Sequence, residues 1–216
     1  YRELFSVRGI GQTMLASLPG RMPIGIAGLA ILMFVQQASA SFEQAGLASG
    51  LYVLGLGAVA PFVGRLIDRI GPRQILSLCA LLYPAGLAAL LFLVRNGAPA
   101  YAVSAAAFVA GATLPPVTIC MRAMFPRVLT TPAQLQTAYS VDSAMVEMVF
   151  ILGPALVAAC AAFGHVEAAV WSAAGFGAAG GFIFRSAAAV RQWTVHEHAG
   201  RGRDRLRSHL PSAYPC

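Results

Sequence analysis

Ionisable residues are scarce in this sequence, and Arg21, Arg122 and Glu147 stand inside or at the edge of long apolar runs. A charge in such a place is costly unless it is paired or reached by water, so each is a candidate for function. If a helix starts near Asp142, Glu147 lies about 8 Å along it at 1.5 Å per residue. A helix starting near Gly11 would place Arg21 about 15 Å in from the same face. The two side chains could then meet and offset each other's desolvation, exchanging partners when the protein changes shape. Arg122, at the foot of the fourth apolar run, is an equally placed partner for Glu147. Arg21 alternatively ends its helix at a lipid interface, its head snorkelling to phosphate.

The elements that would carry these groups follow from composition. Of 216 residues, 58% are hydrophobic and 11% charged, against about 25% charged in a soluble domain. A helix crossing a hydrocarbon core needs about 20 mostly apolar residues. Six runs qualify, at about 11–38, 44–64, 74–94, 99–121, 142–163 and 167–186, the first once its apolar stretch 22–35 is extended. Backbone polar groups in lipid must bond within their own segment, so the expected fold class is an all-α membrane protein of six transmembrane helices. Residues 1–189 form the expected membrane domain, and 190–216 a basic, disordered cytoplasmic tail. Arginines occupy alternate connections: Arg2, Arg8, Arg65, Arg69, Arg73, Arg122, Arg127 and those of the tail share one side, and Arg95 stands on the other. The positive-inside rule puts the rich side, with both termini, in the cytoplasm of a plasma-membrane protein.

Within the spans, Pro84, Pro115, Pro116 and Pro154 each free a carbonyl and bend their helix. Gly46 and Gly50, and Gly177 and Gly181, are spaced for close helix contact. Gln36, Gln37 and Thr113 are candidate substrate-lining groups, while Tyr52 reads better as an interhelical hydrogen bonder, worth about 0.6 kcal/mol on average. Thr118 is placed to back-bond a freed carbonyl. Thr131 and Pro132 form a helix start, which predicts a short interfacial helix before the fifth span.

Charge also gathers at residues 64–76, "GRLIDRIGPRQIL", between the second and third runs. Gly64 is expected to end one helix at a close approach, and Gly71 to supply a tight turn. The stretch resembles the loop signature of the major facilitator superfamily, G-x-L-x-D-R-x-G-R-R-x-x-L. Gly64, Leu66, Asp68, Arg69, Gly71, Arg73 and Leu76 match; Pro72 departs, and Arg65 occupies a variable position. "FILGPALVAA" is similar to the family's helix-five antiporter motif at Gly153 and Pro154, with Val149, Val157 and Ala158 where glycines would stand. The resemblance implies the amino-terminal six-helix half of a transporter built from a 3+3 repeat. That protein would move a small solute by alternating access, with helices one, two, four and five lining the cavity. The alternative is a truncated remnant that transports nothing.

The expected partners are the lipid bilayer, a small solute, and a missing carboxy-terminal half or a second copy. Nucleic acid is not among them, because the basic residues flank apolar runs instead of covering one face. No cofactor or metal is expected: there is no G-x-x-x-x-G-K-[ST], and "HEH" at 196–198 lacks the spacing that puts two histidines on one helix face. Cys79, Cys120 and Cys160 read as small buried hydrophobes. No Ser/His pair or Asp pair suits a hydrolase, so no enzyme is expected.

Overall fold

A computed structural model describes residues 9–187, the side chain of Asp68 excepted. Arg2, Arg8, the 190–216 tail with its histidines, and Cys216 lie outside the described residues. Among the described residues seven helices follow one another: α1 Ile10–Ser39, α2 Phe42–Ile70, α3 Pro72–Arg95, α4 Ala100–Ala112, α5 Val117–Val128, α6 Pro132–Ala162 and α7 Val166–Ser186. There is no strand among the described residues. α4 and α5 together make one span, so six segments among the described residues are long and apolar enough to cross a membrane.

Local chemistry sets the helix ends. Ser41 Oγ accepts from the Gln44 amide at 3.3 Å and opens α2; Thr131 Oγ1 accepts from the Gln134 amide at 3.3 Å and opens α6, with Pro132 in the first turn. Gly71, at φ 97° and ψ 151°, both ends α2 and starts α3, a conformation essentially restricted to glycine. The fourth span breaks between α4 and α5 because Pro115 and Pro116, adjacent and without N–H groups, cannot serve the carbonyls one turn before them.

Two boundaries differ from expectation. α2 continues to Ile70, so Gly64, Arg65, Leu66 and Arg69 belong to its last two turns, and a Cβ built at Gly64 meets nothing within 4 Å. No proline interrupts residues 133–153, and α6 runs unbroken from Pro132 instead of following a separate interfacial helix. Its first turns are held by packing: Ala138 is buried, and Tyr139 meets Phe125 edge-on at 5.3 Å.

α1 is the central helix, packed on α7, α6 and α2, while α3 lies against α7 and α4, and α2 against α4. Glycines permit the closest crossings. A Cβ at Gly180 would run into the α1 backbone at Gly20, one at Gly153 into Gly25, and one at Gly111 into the α2 backbone at Tyr52. Gly177 faces the Tyr83 ring, and Gly181 faces Ala80. Gly46 and Gly50 do not act this way, since a Cβ at either meets nothing within 4 Å. Tyr52 and Tyr83 join α2 to α3 through their hydroxyls at 3.2 Å. α2 and α6 bury the smallest share of their apolar length, which leaves them the least covered helices of the bundle.

Candidate functional site: a buried arginine–aspartate–arginine cluster

Arg21 is 11 residues past the start of α1 and Asp142 is 10 past the start of α6, about 16 and 15 Å along their helices. Both helices start on the arginine-rich face, so the two residues stand at one depth. The contacts around Gly25 and Gly153 bring α1 and α6 close enough for their side chains to touch. Arg21 Nη2 donates to Asp142 Oδ1, and Nη1 reaches the Asp142 carbonyl at 3.5 Å. From α5, Arg122 Nε donates to Asp142 Oδ2 at 2.8 Å. One carboxylate thus ties three helices together.

The cluster is asymmetric. The side chains of Arg21 and Asp142 are 1% and 0% exposed, whereas that of Arg122 is 49% exposed. Two guanidinium groups share one carboxylate, leaving a net charge of one positive unit. Arg21 Nε is buried and has no hydrogen-bond partner. Such an arrangement is costly to break by removing one member, because the remaining charge stays desolvated. It can be rearranged at lower cost if Arg122, already half exposed, exchanges the carboxylate for water or another anion.

The expected pairing of Arg21 or Arg122 with Glu147 does not occur. Both arginines bind Asp142, and Glu147 is exposed and in no ion pair among the described residues. The longer α6 explains the difference. Its earlier start moves Asp142 from the membrane boundary to about 15 Å along the helix, the depth of Arg21. Glu147 is five residues further on, a rotation of about 140° away from Asp142 at 3.6 residues per turn.

The remaining candidates are dispersed. Arg65, Arg69 and Arg73 are exposed around the Gly71 turn, and the Arg73 carbonyl accepts from Ser77 Oγ, which in turn accepts from Arg185 Nη1 of α7 at 2.7 Å. Gly153 packs on Gly25 within α6, one turn and more beyond Glu147, and Pro154 continues the same helix. Thr113 lies at the break of the fourth span, its hydroxyl donating to the carbonyls of Val109 at 2.8 Å and Ala110 at 3.1 Å. Gln36 and Gln37 are near the far end of α1, where Gln37 joins His165, Glu167 and Trp171 around a shallow pocket. None of these three meets the cluster. Thr118 does not back-bond either; its hydroxyl is buried without a partner. At the far face Arg95 Nη2 donates to Glu167 Oε2 at 2.5 Å and Trp171 Nε1 to Glu167 Oε1 at 3.0 Å, a pairing the sequence reading missed. Among the described residues, no three His, Cys, Asp or Glu side chains gather closely enough to hold a metal ion.

A protein-family model described as Major Facilitator Superfamily matches residues 13–208, which takes in the first span from its fourth residue and the other five entire. No curated protein matches the chain.

Proposed function

This chain belongs to the Major Facilitator Superfamily, a family of membrane transporters, and on that premise we propose that it acts as the amino-terminal half of a secondary transporter. It moves a small solute by alternating access, with no chemical step performed on the solute. The observation that carries this reading is the family match across all six helical spans. Alternating access needs an element with two arrangements, and the Asp142 cluster is suited to that role. In the arrangement described here Asp142 holds α1, α5 and α6 together. Release of the half-exposed Arg122 would free α5 while Arg21 keeps Asp142 neutralised.

The arginine-rich face is cytoplasmic in this proposal, and the membrane is the plasma membrane. Supporting it, Arg65, Arg69, Arg73, Arg122 and Arg127 share one face, against Arg95 on the other. The second half of the cavity comes from a carboxy-terminal six-helix unit or a second copy, received by the sparsely covered α2 and α6. Exposed Glu147 then faces that partner or the cavity between the halves.

The test is flux in phospholipid vesicles containing the purified chain, alone and with a carboxy-terminal half, followed by entrance counterflow of radiolabelled amino acids, sugars, organic acids and aromatic alcohols. Counterflow above protein-free vesicles that Asp142→Asn abolishes supports the proposal. Flux absent under both conditions with every solute class, from protein shown to be folded, rejects it. Accessibility of single cysteines at positions 65 and 73 to a membrane-impermeant reagent in intact cells checks the orientation; labelling from outside would reverse it.

A further inference from the structure

The break in the fourth span borders a cavity of about 270 Å³ between α1, α2 and residues 111–119. Its wall is apolar, formed by side chains such as Ile24, Leu56, Val63 and Ile119, and carries no charged group. Among the lining residues one side-chain hydroxyl is left without a partner and one backbone carbonyl loses its helical donor. Thr118 Oγ1 is buried and makes no hydrogen bond. In an unbroken helix the Ala112 carbonyl would accept from residue 116 or, with a tighter turn, from residue 115; both are prolines without an N–H. Among the described residues no backbone donor outside the helices replaces them.

An unmatched hydroxyl and a carbonyl deprived of its helical donor are each unfavourable in hydrocarbon, and their needs are complementary. A single hydroxyl can accept from Thr118 and donate to Ala112 at once. An ionised solute would find no counter-charge on this wall and would lose its hydration without return. The volume suits a body of roughly ten heavy atoms, since a water molecule occupies about 30 Å³ of liquid and packed carbon atoms less. Irregular backbone inside a membrane span is tolerated where it lines a cavity, and in transporters such breaks adjoin bound cargo.

We propose that this cavity binds a small, largely apolar molecule bearing one hydroxyl group, with its body against Ile24, Leu56 and Ile119 and its hydroxyl between Thr118 Oγ1 and the Ala112 carbonyl. The inference deepens the transport reading by giving the cargo's chemical class, and rests on that reading only for calling the bound molecule cargo. Binding at the cavity stands or falls by itself.

The experiment uses the full chain in phosphatidylcholine vesicles with a diazirine derivative of benzyl alcohol as the probe. After irradiation, modified residues are located by mass spectrometry, and the probe is competed with benzyl alcohol or toluene. Saturable labelling at Ile24, Leu56 or Ile119 is expected, with benzyl alcohol about tenfold the stronger competitor, the factor one hydrogen bond supplies. Thr118→Val should bring the two competitors to within about twofold while leaving the labelled positions unchanged, and Thr118→Ser should restore the preference. Labelling that does not saturate and spreads over all lipid-facing helices would show acyl-chain occupancy and overturn the proposal. So would equal competition by alcohol and toluene in the parent chain. Saturable labelling of folded protein that shows no flux, alone or with a carboxy-terminal half, would leave the cavity assigned and reject transport; solute flux without saturable labelling would do the reverse.

Discussion

The two ends of the bundle each join an arginine to a carboxylate, in opposite surroundings. Near the arginine-rich face, Asp142 is fully buried and shared between Arg21 and Arg122. At the far face, Glu167 is 27% exposed and Arg95 64% exposed. A desolvated carboxylate must keep a partner because the alternative is a bare charge in a low-dielectric interior. A hydrated one exchanges its partner for water at little cost. The first arrangement can therefore act as a lock between helices, whereas the second merely decorates the ends of α3 and α7.

The largest expected effect breaks this contrast at its buried end. Asp142→Asn leaves Arg21 charged and desolvated, and should destabilise the bundle by about 3–5 kcal/mol. Thermal unfolding in detergent, followed by the exposure of buried Cys79 and Cys120 to a thiol dye, measures it. The double variant Arg21→Met with Asp142→Leu removes both charges while filling the space, and should recover most of that loss. If it is no more stable than Asp142→Asn, the penalty does not come from the stranded arginine.

Next in size is the packing that holds Arg21 in place. A Cβ at Gly180 would enter the α1 backbone at Gly20, directly beside Arg21. Gly180→Ala should cost about 3 kcal/mol, at the upper end for overpacking, because backbone has to move. Gly46→Ala adds its methyl to open space and should change stability by less than about 0.5 kcal/mol. The same melting assay compares them, and equal losses would mean that the α1–α7 crossing tolerates widening.

How much of this was legible in the sequence depends on the range of the interaction. Six spans could be read because hydrophobic length is a local property, and the 115–116 break because two prolines remove two donors wherever they stand. The Gly71 turn followed from its place between two apolar runs. The ion pair was misassigned because helix depth depends on where α6 begins. That start is supported by tertiary contacts, Ala138 in the core and Tyr139 on Phe125, which sequence periodicity does not display. The glycine spacing was equally ambiguous: Gly46–Gly50 and Gly177–Gly181 share a pattern, but only the second pair faces another helix. Glu167 went unnoticed because its partner Arg95 is 72 residues away in the chain.

Turn geometry offers a smaller comparison between the same two ends. Gly71, at φ 97° and ψ 151°, lies where only glycine is comfortable, and Gly97, at φ 64°, is in the left-handed helical region that other residues occasionally visit. Gly71→Ala should destabilise by about 2 kcal/mol, and Gly97→Asn by about 0.5 kcal/mol or less, asparagine being the side chain best suited to that region. Comparing midpoints of thermal unfolding would show whether the charged turn is the stiffer connection, and similar losses at both sites would contradict it.

The smallest effect sharpens the contrast from its exposed end. Arg95→Gln removes the partner of Glu167, but Glu167 keeps the Trp171 indole donor at 3.0 Å and remains open to water. A surface ion pair of this kind contributes about 0.2–1 kcal/mol and less when salt screens it. Stability should therefore fall by about 0.5 kcal/mol or less, and the difference should shrink further in about 0.5 M sodium chloride. The Asp142→Asn loss should persist in the same salt, because ions do not enter a site with 0% exposure. A salt-insensitive loss of several kcal/mol for Arg95→Gln would mean that the far face is sealed by a partner, and the two ends would then obey the same physics.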